Sequence, residues 1–246
     1  PEWMLLSYHK AACASSSRSG FDPQNAFDES IKSAWSATSG NSGEWLSVDL
    51  GKEYKVEAVQ VNFADCFTKK KRAPMKEYGG TFTQERYIEE ELVRYEYRIE
   101  YSSNDTDWAP YEETQNTVFP HKLIPRRARA RYIRIVFASA PYGQNFSISG
   151  FRVFGLDNNK KPSAVSGENA ERTSATEARL SWNSQNDAMG YCIRLGIAPD
   201  KLYNSILLYG QNDYTVTFLN KETEKYYFAV DSFNESGITK GSINEF

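Results

Sequence analysis

A chain of 246 residues, 40% of them apolar, is long enough for two modest domains and can bury a core in each. Its net charge of −3 provides no field that would gather nucleic acid, although Lys69–Arg72 and Arg126–Arg131 are locally basic. No apolar run approaches the roughly 20 residues that a membrane-spanning helix needs, so we expect no membrane insertion.

Strand patterns recur through the first 157 residues. Aromatic residues make up 14% of the chain, with 16 tyrosines against 3 methionines, and this balance favours strands over helices. The turn Ser103–Trp108 combines residue types that bond their own backbone and favour a tight reversal. Alternating apolar and polar residues predict strands at Leu46–Leu50, Tyr54–Phe63, Val93–Ser103, Ala130–Ala138 and Ser147–Leu156. We therefore predict an all-β chain that opens with a sandwich.

Three arginines alternate in the extended segment that leads into YIRIVF of the predicted fourth strand. Arg127, Arg129 and Arg131 would share one face of an extended segment, because side chains on a strand alternate between its two faces. We interpret them as a solvated strand face rather than a nucleic-acid site.

The cysteine count excludes two kinds of site. Cys13, Cys66 and Cys192 are odd in number and have no CxxC spacing, so neither a zinc site nor a full disulfide framework is indicated. Cys13 and Cys66 lie in the same predicted domain and could pair. Because sequence gives no distance between them, this pairing stays open.

A segment from Asp65 to Leu92 interrupts the strand pattern and forms a long insertion. Loops beyond about 12–15 residues are usually functional or disordered. This one contains Phe67, Tyr78, Phe82 and Tyr87, more aromatic residues than plain disorder would carry. We expect it to fold against its own sandwich or against a neighbouring domain.

After the sandwich, residues 158–162 have the Asn, Lys and Pro content of a linker. Beyond them come Trp182, a Gly-Tyr pair at 190–191, Leu219 and the strand-like run Tyr226–Asn234. This order and spacing resemble a fibronectin type III domain, which implies an immunoglobulin-like sandwich over 163–246.

The first domain also carries a family motif. NAFDESIKSAWSA (Asn25–Ala37) is followed by GEWLSVDLGKEYKVEAVQVNF (Gly43–Phe63). This pair of segments resembles the discoidin domain, also called the coagulation factor type C domain, whose bacterial members include the family 32 carbohydrate-binding modules. The resemblance implies a galactose-binding-like jelly-roll sandwich over residues 1–157.

The same resemblance implies a calcium site in the turn before Trp35. Calcium takes six to eight oxygen ligands, usually with carboxylates among them. Gly150 stands where many relatives have a ligating Glu, so we expect at most a weak site, and a hydrogen-bonded turn without metal is the alternative. By resemblance the ligands would be Asn25, Asp28, Ser30, Ser33 and Ser149.

Family relatives bind galactose-type sugars in loops at one end of the sandwich, on an aromatic platform with a few polar side chains. Two loop regions of this sequence offer such residues. The candidate ligand-binding residues are Tyr142, Gln144 and Asn145 in one loop, with Phe67, Arg72 and Tyr78 in the insertion.

No catalytic constellation is recognisable in the sequence. His9 and His121 lie in different segments, without a metalloprotease motif, a nucleophile elbow or a phosphate loop nearby. Adjacent acids such as Glu112 and Glu113 cannot flank a glycosidic bond from opposite sides. We therefore expect that this chain is not an enzyme.

The opening segment resembles part of a larger enzyme. The run WMLLSY (Trp3–Tyr8) resembles the link between the catalytic domain of a family 43 glycoside hydrolase, of xylosidase or arabinosidase type, and a following discoidin domain. The start at Pro1 also suggests a piece of a longer protein. The resemblance implies a bacterial protein that is secreted, periplasmic or on the cell surface.

We predict a non-catalytic accessory region that packs against or supports an upstream catalytic domain of the same polypeptide. Binding of plant-type or galactose-containing glycans stays open, but the aromatic insertion, and the absence of a tryptophan cluster in the loops, favour docking over strong glycan binding. A stand-alone carbohydrate-binding or cell-surface adhesion module is the alternative.

Overall fold

A computed structural model describes residues 3–64, 66, 94–117, 119, 121–141, 144–220 and 225–246. The chain divides into two compact units, an N-terminal unit of Leu5–Gly155 and a C-terminal unit formed mainly by Leu156–Phe246. Within the described residues the secondary structure is strands and a short 3-10 helix, Pro23–Ala26, which confirms the all-β prediction. No described helix is long and apolar enough to span a membrane.

The strands up to Leu156 form one strongly bent sheet. Its order is β1-β8-β4-β7-β5-β6, with β2 paired to β4 and β3 paired to β8. The strands are β1 (Met4–Leu5), β2 (Ala11–Ala14), β3 (Trp35–Ser36), β4 (Trp45–Phe63), β5 (Tyr95–Ser102), β6 (Ala109–Thr117), β7 (His121–Ser139) and β8 (Ser147–Leu156).

Two predicted strand boundaries change in the structure. The segments predicted as separate strands at Leu46–Leu50 and Tyr54–Phe63 form the single strand β4, whose pairing with β7 shifts register between Asp49 and Tyr54. Gly51 lies at this shift with φ +90°, a conformation that suits glycine. The sequence pattern breaks at this point because the backbone bends there, while the strand itself continues.

The core of the N-terminal unit is aromatic. The Trp35 ring is fully buried and stacks on Phe137, with 6.1 Å between ring centroids, and Phe137 stacks on Phe146, with 4.3 Å between centroids. Phe27 packs on Phe151 of β8 at 5.8 Å between ring centroids. These contacts bring the residues around Trp35 onto the same core as the long strands, so the motif Asn25–Ala37 is part of the sandwich.

The locally basic stretch of β7 is paired with carboxylates of the neighbouring strand β4. Each of its three alternating arginines is at least partly exposed and forms an ion pair with a carboxylate of β4, and of these carboxylates only that of Glu57 is buried. Lys55 of β4 also pairs with Glu57, at 2.7 Å, so four cations of this face share three carboxylates. The pairs are Arg127 with Glu57 at 2.9 Å, Arg129 with Glu53 at 3.0 Å and Arg131 with Asp49 at 2.8 Å.

The C-terminal unit contains two sheets. A three-stranded sheet has the order β13-β10-β9, and a second sheet has the order β12-β11-β14-β15, with β16 paired to β14. The strands are β9 (Asn169–Arg172), β10 (Ala178–Ser181), β11 (Gly190–Gly196), β12 (Asn204–Tyr209), β13 (Asp213–Val216), β14 (Tyr227–Asn234), β15 (Gly237–Thr239) and β16 (Asn244–Glu245).

Both sheets of the C-terminal unit contribute to one hydrophobic core. Leu180 of β10 and Ile193 of β11 belong to it, as do Trp182, Tyr191 and Leu219. The Trp182 and Tyr191 rings meet edge to face at 5.3 Å. The order of residues that suggested a second sandwich therefore corresponds to one shared core in the structure.

None of the three cysteines forms a disulfide in the structure. Cys13 is exposed on β2, and Cys66 and Cys192 are partly buried. The bridge between Cys13 and Cys66 that sequence left open is not formed. Burial raises the pKa of the Cys192 thiol, which disfavours its reactive thiolate form.

Candidate functional site

Three connections of the N-terminal unit meet at one end of its sheet, which we call the loop end. They are residues 37–44, the two flanks of segment 65–93, and residues 139–146. The Phe146 N–H donates to the Ser39 carbonyl at 3.3 Å, and the Gly43 N–H donates to the Phe137 carbonyl at 2.9 Å. The Ala64 N–H donates to the Ser147 carbonyl at 3.0 Å. These backbone bonds join the three connections at one surface.

The flanks of the insertion are close in space. Phe63, at the end of β4, stacks in parallel on Tyr95, at the start of β5, with 4.0 Å between ring centroids. Tyr97 meets Phe63 edge to face at 5.3 Å. The insertion therefore leaves and re-enters the sandwich at the loop end, where the sequence predicts a sugar site.

Of the predicted ligand-binding residues, Phe67, Arg72, Tyr78 and Tyr142 lie outside the described residues.

A buried carboxylate ties loop 37–44 to the chain after β2. Glu44 is only 9% exposed and accepts hydrogen bonds from the hydroxyls of Ser15, Ser16 at 2.8 Å and Ser39 at 2.7 Å. Ser16 Oγ in turn accepts from the Thr38 N–H at 3.0 Å. Burial raises the pKa of Glu44, but the three hydroxyls outweigh it and hold this pKa below its ordinary value. Glu44 is thus a buried anion that joins loop 37–44 to the segment after β2.

Two predicted sugar ligands are buried instead of lining the surface. Gln144 is 1% exposed and its Nε2 donates to the Tyr95 hydroxyl at 2.6 Å, and Asn145 is 7% exposed and its Nδ2 donates to the Ala37 carbonyl at 2.8 Å. Both amides therefore join loop 139–146 to its neighbours. Their role in sugar binding stays a prediction, but we leave them out of the proposed binding surface, because their amide nitrogens are already engaged inside the unit.

Other residues at the loop end are accessible, and sequence reasoning did not select them. Trp45, the first residue of β4, is partly exposed, and Thr38, Asn41 and Ser42 in the preceding loop are exposed. A tryptophan beside hydroxyl and amide groups has the composition of a sugar-binding surface. The signal in the sequence was a Trp directly after the Gly- and Ser-rich run SGNSGE, which we had interpreted only as the start of a strand.

Three of the five residues predicted to bind calcium lie in a hydrogen-bonded turn, residues 27–34, which we call the Asp28 turn. Asp28 Oδ1 accepts from the Ser30 N–H at 2.8 Å, and Oδ2 accepts from the Ser33 hydroxyl at 2.6 Å. Asn25 Nδ2 donates to the Ala34 carbonyl at 3.1 Å. The fifth predicted ligand, Ser149, lies on β8, where its hydroxyl contacts the Asn62 carbonyl at 3.4 Å. Both carboxylate oxygens of the turn's central acid thus have donors within the chain.

The donor set does not fit a calcium site well. A Cβ at Gly150 would lie 3.0 Å from the Asn62 side chain, so an amide fills the place where a ligating side chain would begin. The neighbouring acid Glu29 is paired with Arg152. Among the described residues, no group of three or more His, Cys, Asp or Glu side chains could hold a metal ion. Because calcium sites gain affinity with carboxylate count, these residues fit a hydrogen-bonded turn better.

Asp28→Ala should destabilise the N-terminal unit by about 1–2 kcal/mol, because the Ser30 N–H and the Ser33 hydroxyl would lose a charged acceptor. Urea unfolding measured with calcium and with chelator checks this result, and the loss should be the same in both. Asp28→Asn is the matched control, since its amide oxygen can still accept from Ser30 and should retain part of the stability. Unchanged stability of Asp28→Ala under both conditions would show that the hydrogen bonds of the Asp28 carboxylate contribute nothing to the free energy of unfolding.

A comparison with protein families bears on the same region. Residues 10–79 match the F5/8 type C domain. The match spans β2, the Asp28 turn, loop 37–44 and β4, and so includes the two segments whose resemblance to the discoidin domain we described. It confirms that part of the sequence prediction for the N-terminal unit.

Solved structures similar to this chain include three sugar-binding modules. Chitosan-binding module 1 from a chitosanase/glucanase of Paenibacillus sp. IK-5 is 22% identical, with a TM-score of 0.48 over 62% of this chain and 99% of the module. The CBM32 of AlyQ in complex with 4,5-unsaturated mannuronic acid is 19% identical, with a TM-score of 0.45 over 61% and 98%. A fucose binding module of Streptococcus pneumoniae is 18% identical, with a TM-score of 0.44 over 62% and 96%. No curated protein matches the chain.

Proposed function

We propose that the N-terminal unit is a non-catalytic carbohydrate-binding module whose sugar site lies at the loop end. The match of residues 10–79 to the F5/8 type C domain supports this proposal most directly, because the matched segment contains loop 37–44 and Trp45. The C–H faces of a pyranose pack well on an aromatic ring, and hydroxyl and amide groups bond its hydroxyls. Trp45 would supply the ring, and Thr38 and Asn41 would supply polar contacts.

Buried polar residues next to the loop end support the proposal, because they hold its loops in one conformation. Glu44, Gln144 and Asn145 each tie one loop to another segment through buried hydrogen bonds. A surface that is already ordered loses less conformational entropy when a ligand binds. In this proposal the buried polar residues therefore contribute to sugar affinity without touching the sugar.

We further propose that the chain is an accessory region of a polysaccharide-degrading glycoside hydrolase and that the C-terminal unit is a fibronectin type III domain. The run Trp3–Tyr8 and the order Trp182, Tyr191, Leu219 carry these two resemblances. The partners would be an upstream catalytic domain of the same polypeptide and plant-type or galactose-containing glycans, outside the cell or in the periplasm. The predicted docking of the insertion on that catalytic domain depends on residues outside those described.

Calorimetric titration of the chain with galactose, arabinose, xylose and their oligosaccharides tests the proposal. We expect saturable binding of at least one of these sugars with a Kd of about 1 mM or below, equivalent to about −4 kcal/mol. Trp45→Ala should weaken this binding at least about tenfold, because the aromatic platform is lost.

Trp108→Ala is the matched control for Trp45→Ala. Trp108 is also partly exposed, but it lies in the turn between β5 and β6, at the other end of these strands from the loop end, and its ring is covered by the Arg134 guanidinium at 4.0 Å. Its replacement should leave the Kd within about twofold of the original value, because Trp108 is distant from the loop end and shares no contacts with the described residues of the proposed site. Binding that is lost equally in both variants, or absent from the start, would contradict the proposed site.

A further inference from the structure

Arg152 on β8 reaches the Asp28 turn. Its Nε lies 2.8 and 2.9 Å from the two carboxylate oxygens of Glu29, and both side chains are partly exposed, with 23% and 30% of their surface accessible. With the Asn62 amide turned so that its oxygen faces β8, that oxygen accepts from Arg152 Nη1 at 2.7 Å. The guanidinium therefore connects the turn, β8 and β4.

Glu29 is held in an unfavourable backbone conformation by its surroundings. Its φ is +58°, in the left-handed region that residues other than glycine seldom adopt. Asp28 and Ser30 on either side are fixed to each other by the bond between the Ser30 N–H and Asp28 Oδ1. The ion pair to Arg152 holds the Glu29 side chain, so the turn is closed by contacts on both sides of the strained residue.

We propose that the Arg152 guanidinium is an internal cation that latches the Asp28 turn to β8, so that this turn folds without a metal ion. Arg152 is the charged side chain that β8 directs to the turn, and Gly150, the next position on the same face of β8, has no side chain and faces the Asn62 amide. The turn contains two acids, Asp28 and Glu29, and one base, Lys32, so that together with Arg152 its formal charge is zero, without the excess of carboxylates that gives calcium sites their affinity.

A guanidinium is suited to this position. It is charged at every relevant pH, and its planar fork can bond a carboxylate and an amide oxygen at the same time. It needs no ligand from solution, so the turn stays closed at any calcium concentration. This inference does not depend on the sugar site, because it concerns only how the turn is held.

Hydrogen exchange of the full chain, followed at the Ser30 and Lys32 amides, tests the latch. These amides donate within the turn, to Asp28 Oδ1 and Ser30 Oγ. In the original chain, exchange in calcium chloride and in EDTA should agree within about twofold. Arg152→Gln should accelerate exchange about tenfold, and Glu29→Gln should do the same, with the double variant no faster than either single variant.

Arg179→Gln is the control substitution. Arg179 pairs with Asp213 at 2.8 Å in the C-terminal unit, where both side chains are exposed, so its loss should not change exchange in the turn. Slower exchange of the turn in calcium than in EDTA would overturn the proposal, because a metal would then hold the turn. Unchanged exchange in Arg152→Gln would also overturn it, because the guanidinium would then contribute nothing.

Discussion

Trp182→Ala is expected to abolish the cooperative unfolding of the C-terminal unit. Trp182 is 3% exposed, and its ring lies 5.3 Å from Tyr191. Its backbone is also fixed, because its N–H donates to the Asn212 carbonyl at 3.0 Å and its carbonyl accepts from Asn212 Nδ2 at 2.9 Å. Truncating so large a buried ring costs about 3–5 kcal/mol, which is most of the stability of a small domain.

Scanning calorimetry of residues 163–246 expressed alone, and of the full chain, measures this effect. The unmutated segment should unfold in one cooperative transition, as predicted for a separate domain. Trp182→Phe should cost less than Trp182→Ala, because the ring remains and the Trp182 indole N–H has no partner among the described residues. Tyr203→Ala is the control, since Tyr203 is 81% exposed. A cooperative transition that survives in Trp182→Ala would contradict the assigned core.

Glu44→Gln is expected to destabilise the N-terminal unit by about 2–3 kcal/mol, because three hydroxyl donors lose their charged acceptor. The effect should depend on pH. The pKa of Glu44 in the folded chain lies below the ordinary value of 4.5, so its contribution is fully present above that value and is lost as pH falls through the folded pKa. The free energies of unfolding of the variant and the original chain should therefore differ most near neutral pH and become equal in acid.

Chemical denaturation at a series of pH values checks this prediction. Glu113→Gln is the matched control, because Glu113 is exposed on β6 and should lose little stability at any pH. A Glu44→Gln variant as stable as the original chain near neutral pH would show that the serine hydroxyls do not depend on the charge.

The strands and the second core could be predicted from the sequence because both depend on local patterns. Alternation located most of β4, β5 and β8, and the spacing of Trp182 and Tyr191 indicated that they share a core. The family motif was also local, since Asn25–Ala37 and Gly43–Phe63 are nearly continuous. Such signals can be recognised without knowing which distant segments meet.

The role of the buried polar residues could not be predicted in the same way. Gln144 and Asn145 belong to a loop, where polar side chains are usually exposed. Their burial depends on Tyr95 and Ala37, which lie 49 and 108 residues away in sequence. Glu44 similarly meets Ser15 and Ser16 only because β2 pairs with β4. Contacts of this range follow from the tertiary fold rather than from residue type.

The central claim is that sugar binds at the loop end, and nuclear magnetic resonance during an oligosaccharide titration tests it most directly. The account predicts saturable shifts of the Thr38 and Asn41 amides and of the Trp45 indole N–H, with the Trp108 indole N–H unchanged. Saturable shifts that appear around Trp108 and leave the Trp45 indole unaffected, or no shifts with any of the sugars, would contradict it.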